Sequence, residues 1–401
     1  MRLERSDYPP ADQGVLVVWG LLARYPFGGM TWQVLHHLVA FRRLGFDVWY
    51  VEDSDAYVFD STRWWATAEY EANVAYMARQ LERVGLEDRW VFRAPATQTY
   101  FGALDASGLE SLYARADAGF NLCDAQELAP RHRAVQRLVL LETDPVAHQV
   151  AVAAGDDDVI RALDVYDHHF TYGANIGTPE CKVPAERYAW NATRPPVCVD
   201  WWHDDASPNA NALTTVANWE HDDWQVTFAG ETWRWTKHEA FLRFSGVPES
   251  AALPLEIALG KASADDVEAM GRRGWRVRPS ISDPDEYRDY IRRSAGEFTV
   301  SKEVFVRSRS GWFSDRSVCY LASGRPVITQ DTGFGTTVPT GEGLFAFADE
   351  EEALAAIEEI ARDYERHAAA AREIAREYFA AERVLADVLE KCLTGSTTIR
   401  T

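Results

Sequence analysis

Cysteine is scarce and unpatterned in this sequence. The 401 residues hold five, Cys123, Cys181, Cys198, Cys319 and Cys392. They are odd in number and scattered, with no Cys-x-x-Cys pair. That excludes a disulfide scaffold and a cysteine zinc site, and it fits a reducing compartment. Long apolar runs are missing too. None can span a bilayer and no charged-then-apolar leader opens the sequence, so a cytoplasmic protein without stable membrane insertion is expected. Basic residues are outnumbered: 41 Lys and Arg face 62 Asp and Glu, a formal net charge of −21. On that balance no nucleic-acid partner and no anionic membrane surface is expected. A nucleotide ligand stays admissible, because it needs only a local basic pocket. The Gly-x-Gly-x-x-Gly dinucleotide fingerprint is absent. Asp53-Ser54-Asp55 and Asp283-Pro284-Asp285 read as loop turns, and no metal is expected.

Aromatic residues are plentiful, with 15 tryptophans. Most belong to the core, and some can line an acceptor pocket. Apolar, β-branched runs alternate with helical periodicity along the whole chain. Gly14–Gly20 reads as a buried strand, Thr31–Leu44 as a helix and Val48–Val51 as the next strand, a βαβ unit. Residues 64–85 read as a helix, from an apolar stripe through Trp65, Tyr70, Val74, Met77, Leu81 and Val84. Residues 86–116 give no clear pattern. Further strands are expected at 119–122, 137–145 and 168–173. Pro195-Pro196 marks an extended crossing. Strands at 213–217, 255–260, 275–279 and 297–302 follow, and residues 350–393 are helical. The expectation is an α/β protein of two doubly wound, Rossmann-like domains facing across a cleft. Its parts are 1–190, a linker at 191–212, a second domain at 213–375, and a C-terminal helix at 376–401 packing back on the first domain.

One stretch, Arg307 to Phe334, concentrates chemistry. Ser314 or Asp315 can cap a helix carrying Val318, Leu321 and Ala322; Ser323-Gly324 and Pro326 end it; Val327–Thr329 is a strand. A helix start attracts anions through its free N–H groups and its dipole. Arg307, Arg309 and Arg316 surround this one in an acidic chain, which points to a phosphate or diphosphate ligand.

That stretch resembles the nucleotide-sugar site of GT-B glycosyltransferases, in which a Gly-containing loop (here Gly311-Trp312-Phe313-Ser314) opens a helix. A small-Gly-x-Pro turn follows, here Ala322-Ser323-Gly324-Arg325-Pro326. Gly341-Glu342-Gly343-Leu344 looks like that family's loop before the final helices. The Glu-x7-Glu pattern of the retaining branch is absent: Gly311 and Cys319 stand at those positions. Tyr25-Pro26-x-Gly28-Gly29-Met30-Thr31-Trp32, Val51–Ser54, Thr143-Asp144-Pro145 and Asp331–Phe334 extend the resemblance over nearly the whole chain, to bacterial GT-B-type proteins of broad function. It implies a metal-independent glycosyltransferase without a cofactor, using a nucleotide-diphosphate sugar as co-substrate and a small-molecule acceptor such as a natural-product aglycone. The donor site it implies comprises Lys237, Lys302, Arg309, Ser310, Gly311, Trp312, Phe313, Ser314, Asp315, Arg316 and Glu342.

The acceptor is expected at the carboxyl edge of the first sheet, where doubly wound sheets bind ligands. Arg24, Tyr25, Gly28, Gly29, Met30, Trp32 and Asp53 lie there by position. Asp144 or His148 would take the proton of the attacking hydroxyl, since a general base needs hydrogen-bond reach and a suitable pKa. Other readings remain: a GT-B-fold epimerase or phosphorylase, or a binding protein that has kept the fold and lost the chemistry. Oligomeric state is not legible.

Overall fold

The computed structural model describes residues 3–60, 63–203, 212–219 and 225–393. Residues 204–211 of the expected linker and 394–401 of the expected last helix lie outside them. Two open parallel sheets form the frame. The first has eight strands, running in space Trp190–Ala192, His168–Thr171, Leu138–Glu142, Ala118–Leu122, Val15–Trp19, Asp47–Glu52, Trp90–Arg93 and Tyr100–Gly102. Every pairing in it is parallel except the last. The second has six parallel strands in the order Arg276–Pro279, Leu255–Gly260, Leu213–Asn218, Gly296–Thr299, Val327–Gln330 and Leu344–Phe347. In each sheet the chain order reverses direction beside the first strand of its half, the crevice where doubly wound sheets bind ligands. The central strands are buried on both faces, which is why they read as continuous apolar runs rather than alternating ones.

Two antiparallel hairpins stand outside the sheets, Val58–Asp60 with Trp65–Thr67 and Gln225–Phe228 with Glu231–Arg234. The first corrects the helix expected over 64–85, which is confined to Glu71–Glu82. Trp65 and Tyr70 sit at helical spacing but belong to the hairpin and the turn after it. The unpatterned 86–116 region holds two strands and the helix Ala106–Arg115, capped by the Asp105 carboxylate. Trp190–Ala192, read as part of the crossing, is the edge strand of the first sheet. Among the described residues no helix is long and apolar enough to cross a membrane.

The two halves share one core. The helix Gly28–Arg43 packs against Pro284–Arg293 of the second half and against Ala381–Leu393 near the C-terminus. Gly28 has no room for a side chain, because a Cβ there would lie 2.9 Å from Cβ of Tyr287. The Trp32 indole donates to the Pro284 carbonyl at 2.8 Å across the same seam.

Candidate functional site between the two sheets

The carboxyl edges of the two sheets face each other, and several loops meet there. Trp312 Nε1 donates to the Thr143 carbonyl at 2.8 Å, and the Trp312 ring stacks on Phe305. Asn175 binds the Arg309 and Gly333 carbonyls through Nδ2 and accepts from Thr336 Oγ1, while its backbone N–H donates to Ser310 O. A hydrogen-bonded chain crosses the floor: Thr143 Oγ1 to Cys123 Sγ, Cys123 Sγ to Gln33 Oε1, and Gln33 Nε2 to Asp315 Oδ2. Burial pushes the Cys123 thiol up to about 12, so it stays protonated and donates.

Positive charge converges on the second sheet's side of this cleft. Lys302 follows the strand Gly296–Thr299 and pairs with Asp144 across the gap, Nζ to Oδ2 at 3.0 Å. Its amine also lies 4.9 Å from the Trp235 ring centroid. Arg316 is spent inside its own half: Nε meets Glu297 Oε1, NH1 the Val216 carbonyl and NH2 Thr299 Oγ1. Lys237 takes no ion-pair partner among the described residues. Burial, then the charges of Arg316 and Lys302, hold its amine well below the usual lysine value. An anion arriving beside such an amine favours its charged form.

The carboxylates around the gap differ in kind. Asp144 is exposed. Asp315 is enclosed: burial first, then the nearby Asp144 charge, lifts its carboxyl to about 7, and its Oδ1 has no hydrogen-bond partner. Glu52, also lifted to about 7 by burial, accepts from the Tyr50 hydroxyl and from the Ala23 and Arg24 N–H groups, and so shapes the loop after the first strand. Four of the eight non-glycine residues with positive φ among the described residues lie at these edges: Cys123 (φ 59°), Asp124 (53°), Val146 (92°) and Arg309 (52°). Such conformations cost free energy, and they concentrate where a site demands a fixed geometry.

Several expected site residues are used otherwise. His148 is no base: burial opposes its charge, but hydrogen bonds with Asp124 and Glu142 prevail and hold the imidazolium to about pH 10. Asp53 is fully buried; His132 Nε2 and Arg131 Nε bind its carboxylate, so it is a structural anchor rather than an acceptor contact. Trp32, Gly28 and Gly29 lie at the seam against the Pro284–Arg293 helix. Met30 is half-buried in the first turn of the Gly28–Arg43 helix. Arg24 is pinned to Ala125 O and Ser54 Oγ. Tyr25 remains exposed.

The segment read as a phosphate loop clasps the two halves together. Gly311 has φ +76°, and a Cβ there would meet the Asn175 backbone nitrogen at 2.9 Å. Ser310 is buried, Phe313 packs between Phe334 and Phe379, and Arg309 pairs with Asp331 at 3.1 Å. Ser314 caps the helix Asp315–Ala322 as the sequence indicates, accepting from Arg316 N. Glu342 is exposed beside Arg366. Sequence reasoning missed Gln33, Cys123, Asn175 and Glu297. Each is a single polar residue in an apolar element or edge loop, and nothing local marks it.

No protein-family model matches the sequence, and no curated protein matches it. Its fold does match solved structures. An alpha-glucosyltransferase in complex with UDP aligns with TM-score 0.59 and 10% identity over 96% of this chain and 100% of the other. Anabaena Alr3699/HepE, in complex with UDP and glucose, gives 0.54 and 11% over 94% and 100%. AviGT4, a glycosyltransferase involved in avilamycin A biosynthesis, gives 0.52 and 12% over 96% and 99%. At such identities the likeness establishes architecture: this chain has the GT-B fold.

The same comparison overturns the exclusion of nucleic acid drawn from net charge. The alpha-glucosyltransferase with this fold has also been solved with UDP and a 13-mer DNA, at TM-score 0.58 and 11% identity. Net charge averages over the whole surface, whereas a binding strip is local.

Proposed function

We propose that the protein transfers a sugar from a nucleotide-diphosphate donor to a small-molecule acceptor. What supports the reading most is Lys237, an amine without an ion-pair partner among the described residues, set beside Lys302 and Arg316 at the carboxyl edge of the second sheet. Cleavage of the bond between the sugar C1 and the diphosphate oxygen leaves negative charge on the nucleoside diphosphate. Lys237 and Lys302 would stabilise that charge in a site from which bulk water is largely excluded. The new bond forms from an acceptor hydroxyl to C1, and the hydroxyl proton passes to a carboxylate. Asp144 is the exposed carboxylate at the gap. Its present partner, Lys302, has a stronger one in a diphosphate, so donor binding would release Asp144 for the proton.

The test is calorimetry with uridine and thymidine diphosphates. Lys237→Ala is expected to weaken binding by about 1.5–3 kcal/mol, the worth of a charge-assisted contact. Asp144→Asn is expected to keep or tighten that affinity, because Lys302 no longer has to leave a carboxylate, and to lower turnover. Wild-type affinity in Lys237→Ala would reject the donor site.

A further inference from the structure

The large apolar side chains left exposed among the described residues are not scattered. Leu242 and Val267 stand alone, but Tyr25 (39% exposed), Tyr57 (57%), Trp64 (40%) and Trp65 (55%) all lie on or beside the hairpin Val58–Asp60/Trp65–Thr67. The rings of Tyr25 and Trp64 form a connected set with Phe27 and Phe59 on one face of it. Tyr25 lies 5.9 Å from Phe59, Phe59 5.7 Å from Trp64, and Phe27 5.6 Å and 6.0 Å from Phe59 and Trp64 (ring centroids). Strand alternation puts Trp65, paired with Asp60, on the opposite face from Phe59, which pairs with Ala66. The Phe59 N–H binds the Arg24 carbonyl, tying the hairpin to the loop after the first strand. Lys261, just past the second-sheet strand Leu255–Gly260, brings its amine 6.0 Å from the Trp64 centroid. The face therefore looks onto the cleft, and both halves border it.

We propose that this face is an acceptor subsite for a sugar ring, so that the acceptor is itself glycosylated; this rests on the glycosyl-transfer reading above. Tyr25 and Trp64 offer stepped, half-exposed ring faces over the Phe27 and Phe59 base, suited to the C–H face of one pyranose. They do not make the broad continuous apolar patch that a protein partner requires. Lys261 puts a donor at the rim for hydroxyl groups, while Arg63, paired with Asp60 and Glu69, lies over Trp65 on the opposite face. Position sets the length. Tyr25 follows the strand Val15–Trp19, two strands from Leu138–Glu142 and the Asp144 after it, and the hairpin follows Asp47–Glu52, one strand further, so the subsite lies about 10–15 Å along the edge from Asp144. One or two linked sugar rings bridge that distance, with the reacting hydroxyl at Asp144 and the distal ring on Tyr25 and Trp64.

The experiment is a glycan array probed with the labelled full chain, followed by titration of the best-bound glycan. Wild type, Tyr25→Ala, Trp64→Ala and Trp65→Ala are compared, and uridine diphosphate affinity is measured on each. Wild type is expected to bind glycans of two or more units. Tyr25→Ala and Trp64→Ala should weaken that binding at least tenfold, while Trp65→Ala, on the other face, retains it and all four keep the same nucleotide affinity. Absence of any glycan ligand, binding of a flat aglycone or an oligonucleotide in its place, or an equal loss in Trp65→Ala overturns the proposal. If glycan binding follows the expected pattern while no nucleotide binds, the donor reading fails and the sugar subsite stands.

Discussion

His148 illustrates how far a residue's type can mislead about its role. A histidine six positions beyond a strand-end glutamate reads as a base, yet Glu142 and Asp124 hold it as a cation. Its raised pKa carries a stability consequence with a definite sign. The folded state binds that proton more tightly than the unfolded chain does. The stabilisation is complete below about 6.5 and disappears as pH rises through about 10. His148→Gln is therefore expected to flatten the fall in melting temperature between those values, as followed by circular dichroism; parallel wild-type and mutant curves would remove the ion pairs from the account. Lys237 and Lys302 stand out in the sequence as basic residues at strand ends of an acidic chain, and the fold brings them together; their contact with a donor is the proposal above. The duties of Asp53 and Trp32 were not legible, because their partners His132 and Pro284 lie 79 and 252 residues away in sequence. A local reading prices a residue by its neighbours in sequence; these two answer to neighbours in space.

Most of the buried parallel strands were legible to within a few residues, because burial on both faces forces unbroken apolar runs; Trp90–Arg93, in the unpatterned 86–116 region, was not. Nor was the hairpin carrying Trp64. Its short strands share a stripe with the helix that follows, so the 3.6-residue period runs on past the true start at Glu71. Residues 309–314 stand out in the sequence as a loop opening a helix, but their contacts across the halves do not. Their glycine faces the Asn175 backbone, and their tryptophan reaches Thr143. Gly311→Ala is accordingly expected to destabilise the protein by at least the ~1–2 kcal/mol that a left-handed non-glycine residue costs, plus the displacement of Asn175. Urea denaturation measures it, and an unchanged midpoint would mean that the clasp does not hold the halves together.

Across the whole molecule, two sheets were readable from the alternation of strands and helices, and the GT-B resemblance agrees with the fold found. Partner choice was not readable from net charge. A value of −21 coexists with a cleft where two lysines and an arginine converge. The acid is spread over the outer helices, Glu350–Arg362 for example, whose first turn carries three glutamates. The shared helix packing between the halves holds the Lys237 edge and the Asp144 edge on one core, so the proposed donor and acceptor sites would be set by it.

The central claim is that a nucleoside diphosphate binds at Lys237 and Lys302 and thereby frees Asp144. A crystal structure of the uridine diphosphate complex tests it most directly. The expected result is the diphosphate within hydrogen-bond distance of both lysine amines, with the 3.0 Å Lys302–Asp144 pair broken. A diphosphate bound elsewhere, with that pair intact, would contradict it.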